Sequence, residues 1–221
     1  IYEHALSASG GSVPSITWED ESIFRLVNNQ TTATSVTGLN QSFGIVEINR
    51  PGQTTATEDI TFGDVRNELR VISTGTGRSR WNSAFSISGS YVQTGGAITV
   101  RTNTGASNFN VGGNFSLDGG TFRITDGNGS ANAVTLNVDG NFTMSGGTFI
   151  FCATSSTSGP AFASIKGNVT ISGGSFAGGF LVGTSGFYFN GQSSDQTLTF
   201  GLSLSSGVLN RFYYRSAAGG P

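Results

Sequence analysis

The side chains in this sequence with the chemistry of nucleophiles, bases or metal ligands are few and scattered. The single histidine, His4, follows Glu3, and a metal or acid–base role would need partners that the sequence does not group around it. It reads as a surface residue. The single cysteine, Cys152, has no histidine base nearby to generate a thiolate and reads as a small buried hydrophobe. Alone, it forms no intrachain disulfide. Asp118, Asp126 and Asp139 would matter if the chain cleaved polysaccharide, because that chemistry uses carboxylates held on facing positions. The glycine pairs are not followed by Lys-Ser or Lys-Thr as a phosphate loop requires, so they read as turns. No catalytic, cofactor-binding or metal-binding residue is assigned, and the chain is expected not to be an enzyme.

What must position these residues follows from composition. Charged residues make up 11% of the 221 positions, against roughly 25% in an average soluble protein. Glycine occupies 34 positions. Disorder is the first alternative for so small and polar a chain. The 17 phenylalanines argue against it, because they alternate with Ser, Thr and Asn as the side chains of a half-buried strand do. The net charge of −2 and the scattered basic residues give no electrostatic footprint for nucleic acid. No apolar run reaches the length of a membrane span, and Ile1-Tyr2-Glu3-His4 is unlike a secretory signal, so a soluble chain with any signal removed is expected.

A repeat is the strongest pattern. The segments Phe109 to Ile124, Leu136 to Phe151 and Ala163 to Gly178 share an alternating apolar stretch, a Gly-Asn or Gly-Gly-Asn step, a second alternating stretch and then Gly-Gly-[Ser/Thr]-Phe. Phe85 to Val100 is a weaker copy. The first glycine recurs at Gly89, Gly113, Gly140, Gly167 and Gly191, at intervals of 24, 27, 27 and 24. A unit that short is one turn of a solenoid, not a domain. The predicted fold is therefore all-β: a parallel β-helix with rungs of 24–27 residues, right-handed because parallel crossovers almost always are, with a β-sandwich as the alternative that regular short strands and turn signals also describe. One continuous domain is expected, with residues 1–37 as an entry segment, 38–186 as rungs and 187–221 as an aromatic-rich last rung and cap. Ile60 to Ile72 reads as an earlier rung, with Gly63 as the counterpart of Gly89, and the whole chain as some seven to nine rungs.

Within a unit, Phe109, Val111, Phe115 and Leu117 share parity, which places them on the inner face of one extended strand. Stacked units would align Phe115, Phe142 and Val169, and likewise Phe122, Phe149 and Phe176. The same alignment separates the carboxylates: Asp118 shares a column with Thr94, Ser145 and Ser172, and Asp139 with Gly112 and Lys166. An outward Asp139–Lys166 ion pair is expected instead. Asn114, Asn141 and Asn168 each begin an Asn-x-Ser/Thr acceptor pattern for glycosylation, and their recurrence at one rung position also fits an asparagine ladder along the rod. Trp18, Trp81 and Tyr91, with Arg78, Arg80 and Arg101, would hold a glycan if exposed and otherwise serve the core. Phe187-Tyr188-Phe189 and Phe212-Tyr213-Tyr214-Arg215 suit a cap or docking surface.

The stretches Tyr2-Glu3-His4, Gly10 to Trp18 and Gly38 to Phe43, followed by the Gly-Asn and Gly-Gly rungs, resemble a recurrent segment of large secreted surface proteins of Bacteroidota. The resemblance implies export to the cell surface, often by the type IX route, and an adhesive or matrix-forming role. Such proteins usually end in a sorting domain. This sequence ends at Ala217-Ala218-Gly219-Gly220-Pro221 without one, as a fragment, a trimmed form or a divergent member would. The expected function is an extracellular structural or adhesive module that self-associates end to end, with surface glycans or neighbouring domains as further partners. A glycan-binding or polysaccharide-degrading β-helix is the alternative.

Overall fold

The structure, a computed structural model, describes residues 1–4, 11–27, 36–54, 58–81, 85–100, 107–125, 133–152, 161–177, 185–191, 196–201 and 212–214. It is all-β and parallel throughout, a β-solenoid with no helix among the described residues.

The later turns have three strands each. In the best-formed turns the first face is built from Ser107–Val111, Val134–Val138 and Ala161–Ile165. The second is built from Phe115–Leu117, Phe142–Met144 and Val169–Ile171. The third contains Thr121–Thr125, Thr148–Cys152 and Ser175–Ala177. Strands on a given face pair only with the rung above and the rung below, as in Phe115 with Phe142 and Phe142 with Val169. The third face holds a six-stranded sheet, so complete turns number about six. The second face continues further, from Tyr2–His4 to Leu198–Phe200.

The register corrects two expectations. First, Phe109 to Leu117 is not one extended strand: the chain bends at Gly112–Asn114, so the first and second faces are separate there. A single strand crosses both faces only in earlier rungs, at Ser42–Asn49 and Asp64–Ser73, which join the two faces into a 15-stranded sheet. Second, the counterpart of Gly89 is Asn67, not Gly63, because Val65 pairs with Ile87 and Leu69 with Tyr91. Tyr2 pairs with Phe24 and Phe24 with Val46, so these rungs are 22 residues long, and the period rises to 24 and then 27 toward the C-terminal half. The shorter rungs lack the Gly-Asn step, so a search keyed on it misplaces their register.

The interior is a continuous column of rings and branched chains. Phe115 and Phe142 stack with centroids 5.0 Å apart and planes 4° from parallel. Tyr91 lies above them at 4.8 Å from Phe115, and Phe122 stacks on Phe149 at 5.6 Å. All are buried. Trp18, Trp81 and Tyr91 belong to this core, which removes them as surface glycan contacts.

Two N-terminal segments lie together. Gly11–Ser12 pairs with Val36–Thr37, and the indole N–H of Trp18 donates to Gln41 Oε1 at 2.9 Å. Toward the C-terminal half, the second corner of each turn is left-handed at Gly96, Gly120, Gly147 and Gly174, with φ of 70–82°. There a side chain would be strained. We predict that Gly147→Ala lowers stability by about 1–3 kcal/mol, and that Phe142→Ala, which opens the ring column, lowers it by about 3–5 kcal/mol. Denaturant unfolding monitored by far-ultraviolet circular dichroism measures both.

Candidate functional site

The outward positions are organised into columns, because a parallel register places equivalent residues directly above one another. On the second face, Glu3, Arg25, Glu47 and Arg70 occupy one column in alternating charge. Arg25 is ion-paired to Glu3 and, at 2.6 Å, to Glu47. These two hydrogen bonds, the Glu3 one foremost, raise the Arg25 pKa above its ordinary value. Arg70 pairs along its own strand with Glu68. Further along, the same column is neutral: Val92, Ser116, Thr143, Thr170 and Thr199. The charge of the rod is therefore concentrated in its N-terminal half.

The asparagines form a ladder, of a different kind from stacked amides. The backbone N–H of Asn141 donates to Asn114 Oδ1 at 2.9 Å, that of Asn168 to Asn141 Oδ1 at 2.9 Å, and that of Thr197 to Asn168 Oδ1 at 2.8 Å. Each side chain satisfies the next rung's backbone at the bend, where strand pairing lapses. A side-chain amide pair does occur on the first face, from Asn137 Nδ2 to Asn110 Oδ1 at 2.8 Å.

The acidic candidates stay apart. Asp118 accepts from the hydroxyls of Ser116 and Ser145, at 3.0 and 2.6 Å. Asp139 meets Lys166 at 2.7 Å, as expected, with both side chains 49% exposed. Such a pair contributes about 0.2–1 kcal/mol. Cys152 is buried and free. The side chain of His4, together with Asp126, Arg101 and Arg215, lies outside the described residues. Among the described residues no three His, Cys, Asp or Glu side chains converge on one point.

What the structure does bring together is a shallow groove of about 360 Å³ on the first face. Phe162 and Tyr188 project into it from adjacent rungs, ring centroids 5.3 Å apart in edge-to-face contact. Thr135, Asn137, Ser164 and Asn190 supply amides and hydroxyls. A second groove shares Asn137, Ser164 and Asn190 and extends to the Asp139–Lys166 pair. Residue-by-residue reading of the sequence missed Phe162. The signal was parity: Ala161, Ala163 and Ile165 face inward and are fully buried, so the largest side chain of the strand faces out while two of its smallest fill the core. Ala163 pairs with Phe187 of the next rung, whose ring meets that of Phe151 at 5.2 Å.

No protein-family model matches the chain, and neither does any curated protein or solved structure. The groove must be interpreted from its own chemistry.

Two polar features of the rod have measurable consequences. Asn141→Ala removes the acceptor for the Asn168 N–H and is expected to cost about 1 kcal/mol, whereas Asn141→Asp, which keeps an acceptor, is expected to cost less; thermal melts compare them. The Tyr91 hydroxyl donates to Gln93 Oε1 at 2.7 Å, and burial raises its pKa well above 10.0. The unfolded chain therefore ionises Tyr91 first, and this residue's contribution is complete below pH 10 and declines above it. Tyr91→Phe is predicted to be less stable at neutral pH by about 1–2 kcal/mol, with a difference from the parent that narrows above pH 10 in denaturant titrations.

Proposed function

We propose that this chain is an extracellular structural and adhesive module, a rigid rod that displays binding faces at a bacterial surface and associates with its own kind through its end rungs. The observation that carries this reading is the groove on the first face. A polar and aromatic surface stands open on the outside of a body built around a continuous buried core. Stacked parallel rungs give such a body stiffness, since each rung is hydrogen-bonded to two neighbours along its length. Outward columns then repeat at the rung spacing, a geometry suited to holding an extended partner at several points.

Support also comes from the way the described polar groups are used. Asp118, Asp139, Asn114 and Asn141 are committed to serine, lysine or backbone partners within the rod, as parts of a scaffold would be. Nucleic acid is a poor match for a surface with net charge −2.

Negative-stain imaging and sedimentation of the purified chain across a concentration series test the proposal. The expected result is rods of uniform width, single or joined end to end, with no release of reducing ends from polysaccharides added to the same samples. Depolymerisation of an acidic polysaccharide would overturn the reading in favour of a β-helical lyase or hydrolase.

A further inference from the structure

We propose that the groove formed by Thr135, Asn137, Phe162, Ser164 and Tyr188 binds a neutral, extended oligosaccharide lying along the solenoid axis. The inference rests on the adhesive reading above and names its ligand class.

The starting point is Phe162. A phenylalanine has no polar atom to gain from water, yet this one stands half-buried on the outer face while Ala161 and Ala163 of the same strand point inward. Its ring is held by the edge-to-face contact with Tyr188 from the next rung. Two amphipathic or apolar rings fixed at an angle form a platform for the C–H face of a sugar ring, which is apolar on its faces and hydroxylated on its rim.

The surrounding groups match that rim. Asn137 uses one amide proton on Asn110 and keeps a carbonyl oxygen and a second amide proton. The Ser164 hydroxyl and the Asn190 amide flank it within the same groove. None of the described residues lining this groove is charged, and in the adjoining groove Asp139 and Lys166 neutralise each other at 2.7 Å. An acidic glycan would find no counter-charge among the described lining residues. A neutral one loses no ion hydration on entering.

The direction of the ligand follows from the register. Asn110, Asn137, Ser164 and Tyr188 occupy one outward column on four consecutive rungs. Rungs repeat at about 4.8 Å, close to the rise of one sugar in an extended chain. Consecutive sugars therefore meet consecutive rungs, and the adjoining groove, sharing Asn137, Ser164 and Asn190, lengthens the track. A groove of about 360 Å³ is within the range of small-ligand sites, roughly 300–1,000 Å³.

Isothermal titration of the 221-residue chain with cellohexaose, chitohexaose and mannohexaose, and with hexagalacturonate as the acidic comparator, tests the site. Saturable binding of at least one neutral hexamer is expected, weakened by about tenfold or more in both Phe162→Ala and Asn137→Ala. Thr143→Ala on the second face should leave binding unchanged, and Phe162→Ala should keep the parent's circular dichroism spectrum and a cooperative melt. Failure of every neutral hexamer to bind, equal binding by Phe162→Ala, or preference for hexagalacturonate would overturn the proposal. So would a concentration-dependent dimer abolished by Phe162→Ala, because the face would then belong to a second copy. Intact rods that bind none of the sugars would overturn the ligand class alone, whereas shortened hexamers among the products would overturn the adhesive reading itself.

Discussion

Backbone pairing between successive rungs is the constraint from which the rest of this structure follows. Strands must lie about 4.8 Å apart along the whole rod, and bends are where that distance is hardest to keep. At Gly140 an added Cβ would come within 2.6 Å of the Gly113 carbonyl oxygen and 2.5 Å of Asn114 Oδ1. Side-chain volume is excluded there by the rung below. The adjoining asparagine then supplies the acceptor that the bent backbone cannot, so Gly-Asn is one device with two parts. The left-handed glycines at the next bend complete the triangular turn.

With register fixed by the bends, column identity becomes chemistry. Inward columns stack rings on rings, as Tyr91, Phe115 and Phe142 do. Outward columns stack charge on opposite charge at Glu3, Arg25 and Glu47, then hydroxyl on hydroxyl from Ser116 to Thr199. A residue that departs from its column is informative for that reason. Phe162 is such a departure, and it marks the face to which a ligand is assigned.

The repeat in the C-terminal half was readable because its glycine steps are explicit. The columns Phe115, Phe142, Val169 and Phe122, Phe149, Phe176 came directly from them, as did the Asp139–Lys166 pair. The earlier rungs were not readable in the same way: Asn67 stands where later rungs have glycine, and the strands Ser42–Asn49 and Asp64–Ser73 cross both faces with only a register shift at the corner in place of a Gly-Asn step. The groove was hidden for another reason. It joins Asn137, Ser164 and Tyr188, which are distant in sequence and meet only through strand pairing. Trp18, Trp81 and Tyr91 drew attention by residue type, but burial is decided by parity and by what the neighbouring rungs leave open.

Register is the central claim, and disulfide formation between engineered cysteines tests it most directly. Ser116 and Thr143 are paired neighbours on the outside of the second face, and Thr170 is one rung further. In a Cys152→Ala background, Ser116→Cys with Thr143→Cys should oxidise to a disulfide, since paired strands bring the Cα atoms within the roughly 4.4–6.8 Å a disulfide spans. Ser116→Cys with Thr170→Cys, two rung spacings apart, should remain reduced under the same conditions. Cross-linking of the second pair in preference to the first would contradict the register and every column built on it.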